Sequence, residues 1–399
     1  MKFFLLSLLF VGTVFFSSYA QSPVLLLNYK KLQSLQAEYK KTGKIAKPYS
    51  LSFKGIIRHA DEALASGNYS VMDKDQLPPG GDKHDYLSLG RYYWPDPAKP
   101  DGLPYILKDG EVNPETADIS DKKFFKQMMN ETFYLSLAFF ITGDTKYSQR
   151  AEEIFSTWMI NPATKMNPNL NSAQIKKGHT GLLYSGIIDA ADMDMAIEAA
   201  ALLKNANGIS EKGFNGVKSW FTEYFKWMTT SKSGMREGKS TNNHGSWYDV
   251  QVVSLALFLG ENDFAKKVCE EAKEKRYKHE IEPDGQQPEE TRRTVSLNYS
   301  CFNIEALAKL AQLAEHVQVD LWNYKSEGRG SLKTALEYLL PYLTNEKVWD
   351  YKQIKTFKIE SYVEAFVWAS EKYIDAKYAD VARKMLDKDY EKSMKFICY

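Results

Sequence analysis

Two short stretches of this 399-residue chain hold side chains that can bind an anion and move protons. The first is TNNHGSWYDV, residues 241–250, where Asn243 and His244 stand just ahead of a strongly apolar run. The second is PEETRRTVSLNYS, residues 288–300, where Arg292 and Tyr299 are seven residues apart, two turns along one face of a helix. A guanidinium and an amide can donate hydrogen bonds to a carboxylate, while an imidazole and a phenol can take up or release a proton. Each stretch also has a plain structural reading. Asn242 or Asn243 can cap a helix, His244 can be a satisfied turn residue, and the second stretch can hold a surface Arg and a half-buried Tyr. Arg293 beside Arg292 leaves the anion-binding cation ambiguous, although the seven-residue interval favours Arg292.

The elements that must position these groups read as helices. Apolar residues recur at three and four positions from Phe133 to Phe140, Val252 to Leu259, Ile304 to Leu313 and Tyr362 to Trp368, and strand-like alternation is scarce. The segments from Leu137, Leu255 and Ala365 echo one another as an apolar helix, a turn and a second amphipathic helix. Gly143 and Gly260 fall where a helix C-terminus wants a left-handed residue. The expected fold is therefore all-α, helical hairpins side by side in an α/α toroid or incomplete α/α barrel; an irregular helical array is the alternative. Residues 73–115, 161–181 and 280–293 break the pattern with Pro, Gly, Asp and Asn, and loops on a rigid scaffold are where function concentrates. No Pro- or Ser-rich linker divides the chain, so residues 21–399 are expected to form one domain.

Composition removes several classes of function. With 52 Lys and Arg against 51 Asp and Glu, the net charge is +1, and no global field points to nucleic acid or a membrane surface. The chain lacks HExxH, paired CxxC, a Gly-rich phosphate loop and a GxSxG elbow, and its six histidines are dispersed, so no metal or other cofactor is expected. Three cysteines, Cys269, Cys301 and Cys398, are too few for a disulfide framework. The opening MKFFLLSLLFVGTVFFSSYA has one basic residue, an apolar run and small residues at Ser18 and Ala20, the layout of a cleavable export signal over residues 1–20. The mature chain is then expected in the periplasm or outside the cell, as a monomer free of the membrane.

In order and spacing, Asn243-His244 followed by Arg292 and Tyr299 resembles the alginate lyase type of polysaccharide lyase. The YYWPDP before the pair and the NPNLN between are most similar to polysaccharide lyase family 38. The resemblance implies a cofactor-independent β-elimination on a 1,4-linked polyuronate, alginate first and glucuronan second, leaving a 4,5-unsaturated end. Arg292 and Asn243 would neutralise the uronate carboxylate, because the C5 proton beside it is otherwise a poor acid. Tyr299, its pKa lowered by Arg292, would act as base and acid on mannuronate. On guluronate, whose C5 proton and leaving oxygen lie on opposite faces, His244 becomes the base and Tyr299 the acid. Arg91, Tyr92, Tyr93, Trp94, Asn171, Gln174 and Trp247 are the expected substrate contacts, with rings to stack on sugars.

Two rival readings stay open in the sequence. A glycoside hydrolase on the same scaffold would need a facing carboxylate pair, with candidates in Asp249, Glu289 and Glu290. A non-catalytic glycan-binding protein would use the aromatics alone.

Overall fold

The computed structural model of the chain describes residues 22–357, 362–386 and 398; the expected export signal, residues 1–20, lies outside them. Two helices, α1 (Tyr29–Thr42) and α2 (Ser50–Ala65), precede an irregular region holding the short strands β1 (Leu87–Leu89), β2 (Tyr93–Trp94) and β3 (Ile106–Leu107). Next come α3 (Asp121–Thr142), α4 (Thr145–Phe155) and a fourth strand, β4 (Ser172–Ile175). Helices α5 (Met193–Asn205), α6 (Glu211–Thr230), α7 (Lys232–Glu237), α8 (Asn243–Leu259) and α9 (Asn262–Ala272) form the middle of the chain. The last described elements are α10 (Pro288–Thr291), α11 (Ser296–Glu315), α12 (Leu332–Leu343), α13 (Glu364–Lys372) and α14 (Ala376–Leu386).

Three hairpins stand where the sequence echoes lie: α3–α4, α8–α9 and α13–α14. Gly143 and Gly260 end the first helix of two of them with φ of 75° and 86°, a left-handed conformation that glycine adopts without a Cβ clash. Within the α8–α9 pair the helices divide labour. Helix α8 carries NHGSWYDVQVVSLALFL and is buried on nearly every side, whereas α9 buries only Ala265, Cys269 and Ala272 and turns its charges outward. Helix α8 packs on α11, α9, α6 and α5, and α3 packs on α5, α4, α2 and α1, so buried inner helices are ringed by amphipathic outer ones. This is the α/α toroid.

The strands belong to the loops over one end of it. Strand β1 pairs in parallel with β4, Leu87 opposite Ser172, and β2 pairs antiparallel with β3, Tyr93 opposite Leu107 and Trp94 opposite Ile106. These pairings tie together two of the three segments that break the helical pattern, and with them the residues they bring over the toroid mouth. The cysteines are unbridged and buried.

Candidate active site

A cavity of about 730 Å³ opens at this mouth, lined from the loops by Arg91, Tyr92, Tyr93 and Gln174, from helices α8 and α11 by Asn243, His244 and Tyr299, and from the link between α10 and α11 by Arg293. Asn243 and His244 occupy the first turn of α8. Asn242 is the cap, its side chain accepting the His244 N–H at 3.2 Å, which leaves Asn243 inside the helix. Asn243 is fully buried and held from α10: its backbone N–H and its Nδ2 donate to the two Glu290 oxygens at 2.8 and 2.7 Å. Burial pushes the Glu290 carboxyl up to about 7 despite these donors. Glu290 takes one Nδ2 hydrogen, so the second remains for a ligand, and Asn243 Oδ1 has no partner among the described residues.

His244 is oriented by Glu237, the last residue of α7, whose Oε1 lies 2.7 Å from Nδ1. The Glu237 side chain is 1% exposed and so held away from water, while His244 is 23% exposed and open to the cavity. A neutral His244 donating from Nδ1 presents an unprotonated Nε2, the form a general base needs.

Of the two adjacent arginines it is Arg293, not the expected Arg292, that reaches the cavity beside Tyr299. Arg292 ends the four-residue α10, its side chain is 66% exposed, and it pairs with Glu289 on the outer surface. Helix α11 starts only at Ser296, so Arg292 and Tyr299 never share a helix and two-turn spacing does not align them. Between them Arg293 turns inward, gripped by Asp109 through Nη2 at 2.6 Å and Nε at 3.2 Å, with its Cζ 3.8 Å from the Tyr299 ring centroid. Burial works against this charge, but Asp109 and Tyr299 raise the guanidinium above its usual value and keep it protonated.

Tyr299 donates its hydroxyl hydrogen to Tyr92 Oη, 3.0 Å away. The expectation that a neighbouring cation lowers its pKa is also corrected. Burial, then the Tyr92 hydroxyl, drive it well above the usual phenol value, and Arg293 offsets only part of this. The phenol of the free site is a proton donor.

Of the expected substrate contacts, Arg91, Tyr92, Tyr93 and Gln174 line the cavity and three do not. Trp94, on strand β2, points away, donating Nε1–H to the Glu111 carbonyl beneath Lys108. Asn171 is occupied in accepting from Trp227 Nε1 at 3.0 Å. Trp247 is 1% exposed, one turn deeper along α8, packed on Phe302 at 4.8 Å between centroids. A Trp on a helix buried on all sides has no cleft-facing position below the first turn.

Glu237, Glu290 and Asp109, each fixing a cavity residue, were not singled out for those roles from the sequence. Glu237 reaches His244 across the turn between α7 and α8, Glu290 reaches Asn243 from α10 and Asp109 reaches Arg293 from a distant loop, which no periodicity encodes. On the far wall Asp189 is saturated by Lys122 and Gln174 at one oxygen and by Tyr86 and Ser88 at the other. The carboxylates considered for hydrolysis do not face one another. Asp249 is buried against Arg276 at 2.8 Å, Glu289 faces outward and Glu290 is bound to Asn243.

The family model described as Alginate lyase matches residues 70–349. The crystal structure of an alginate lyase from Bacteroides ovatus is 35% identical over 94% of this chain and 98% of that chain, with a TM-score of 0.86. Alginate lyase A1-III from Sphingomonas species A1, at 15% identity over 86% of this chain and 87% of that one, shares the fold with a TM-score of 0.56. A variant of that enzyme complexed with a tetrasaccharide gives 0.57 at 15% identity over the same shares of the two chains. No curated protein matches the chain in sequence. With one model spanning most of the chain and a relative of this likeness over nearly its full length, the chain belongs to the alginate lyase family.

Proposed function

We propose that this protein is a polysaccharide lyase that cleaves a 1,4-linked polyuronate by β-elimination, alginate as the first choice of substrate and glucuronan as the second. The observation that carries the reading is the meeting of Asn243, His244, Arg293 and Tyr299 in one cavity of a chain from this family. Arg293 and the free Nδ2 hydrogen of Asn243 hold the uronate carboxylate and take up the charge that develops when C5 loses its proton. The C5–H electron pair moves into the carboxylate-stabilised intermediate and then forms the C4–C5 double bond as the C4–O bond breaks. Tyr299 gives its proton to the departing oxygen.

On guluronate His244 Nε2 is the base. On mannuronate the phenol serves both steps, and it must first lose the proton that burial holds on it. No cofactor enters the scheme. The chain is exported to the periplasm or beyond, losing residues 1–20, and acts as a monomer.

Incubation with polymannuronate, polyguluronate and glucuronan tests the reading. Ultraviolet-absorbing unsaturated ends are expected, most from the alginate polymers, and N-terminal sequencing of exported material should begin at Gln21. New reducing ends without that absorbance would contradict elimination and favour a hydrolase.

A further inference from the structure

Beside His244 lies a second, more open pocket of about 330 Å³, at the lower end of the roughly 300–1,000 Å³ range of ligand pockets. Tyr184, Ser185, Arg236, Lys239 and Asn242 line it, and His244 and Ser185 belong to both pockets, so the two adjoin at the imidazole. The second chamber is cationic: Arg236 and Lys239 line it and no carboxylate does.

Neither cation is spent on an acid among the described residues. Several basic groups around the site are paired, Arg293 with Asp109, Arg276 with Asp249 and Lys122 with Asp189, whereas Arg91 and Lys176 of the main cavity lie on the Tyr92 and Tyr93 rings. Arg236 instead lies on the Tyr184 ring, Cζ 4.6 Å from the centroid, which steadies the guanidinium without using its N–H donors. Lys239 follows one turn later, where its backbone N–H meets the Arg236 carbonyl at 3.2 Å. Two exposed cations lining one pocket, the first laid on an aromatic ring, with the Ser185 hydroxyl and the Asn242 amide beside them, match a carboxylated sugar ring.

We propose that this chamber is a uronate subsite. The polymer passes His244, and a sugar beyond the reacting bond places its carboxylate between Arg236 and Lys239. The inference rests on the lyase reading and adds a direction in which the substrate must extend.

The test compares wild type with the double variant Arg236→Ala/Lys239→Ala on alginate polymer and on the shortest oligosaccharide that wild type cleaves. Loss of the charge-assisted contacts is expected to raise KM for polymer about tenfold. The ratio of kcat/KM between polymer and short substrate should fall by about the same factor. An unchanged ratio overturns the subsite. In a Tyr299→Phe background, calorimetric titration with alginate reads binding without turnover, and the double variant should bind about tenfold more weakly. Equal binding with and without the two cations would also overturn it. A wild type that binds alginate through these residues but forms no unsaturated ends would contradict the lyase reading and leave the subsite standing.

Discussion

In the proposed reaction most weight falls on Arg293, which brings a fixed positive charge against Tyr299 while locked to Asp109. Replacing it by Ala is expected to lower kcat/KM by roughly 10²–10³-fold, the scale of losing an oxyanion donor, whereas Arg292→Ala should stay within about twofold. Steady-state rates on polymannuronate check both, and the reverse ranking would return the role to Arg292. Tyr299 carries a second expectation. Burial raises its pKa, so its ionised form grows only as pH rises. If the proposed roles hold, turnover of mannuronate through a phenolate should keep climbing into the alkaline range, and that of guluronate through the protonated phenol should not. Superimposable pH profiles on the two polymers would contradict this division of roles. The sequence made the residue types legible at Asn243, His244 and Tyr299, but a one-residue choice between adjacent arginines depends on where α10 stops, which spacing does not encode.

Helix α8 positions the amide and imidazole, and it does so with no room to spare. A Cβ added at Gly245 would sit 2.1 Å from the Ser240 carbonyl oxygen and 2.2 Å from Nη1 of Arg276. Arg276 is itself buried, gripping Asp249 through Nε at 2.8 Å and the Gly238 carbonyl through Nη2 at 2.8 Å. Gly245→Ala should therefore cost about 1–3 kcal/mol of stability by overpacking and displace the loop that carries Asn242. A lowered melting temperature together with lost turnover is expected, and a variant as stable and active as wild type would contradict the tight fit. The hairpins were legible because apolar period and turn glycines are local signals. The placement of Trp247 was not, because an all-round buried helix has no hydrophobic face to read. Glu237 and Glu290 belong to other elements than the groups they hold, so only the assembled toroid brings them together.

The whole molecule keeps several acids inside its shell of helices, and its stability should carry their signature. Glu198 is pushed up to about 8 by burial, although its Oε1 accepts the Leu25 and Leu26 N–H groups at 2.7 and 2.8 Å. Glu280 and Glu290 are pushed up to about 7 by the same cause. A carboxyl whose folded pKa is raised contributes stability fully present below its unfolded value, near 4.5, and lost as pH rises through the folded one. Melting temperature should therefore fall between about pH 4.5 and 8, and Glu198→Gln, whose amide oxygen can still accept both N–H groups, should flatten the fall. An unchanged slope in that variant would contradict the assignment. The same enclosure that raises these acids holds Tyr299 protonated at the mouth of the toroid, so fold and chemistry share one physical cause. The most direct test is the ultraviolet absorbance of unsaturated ends during incubation with alginate, wild type beside Tyr299→Phe. The account predicts a steady rise for wild type and a loss of at least about 10²-fold without the phenol proton. Equal rises from the two proteins would contradict it.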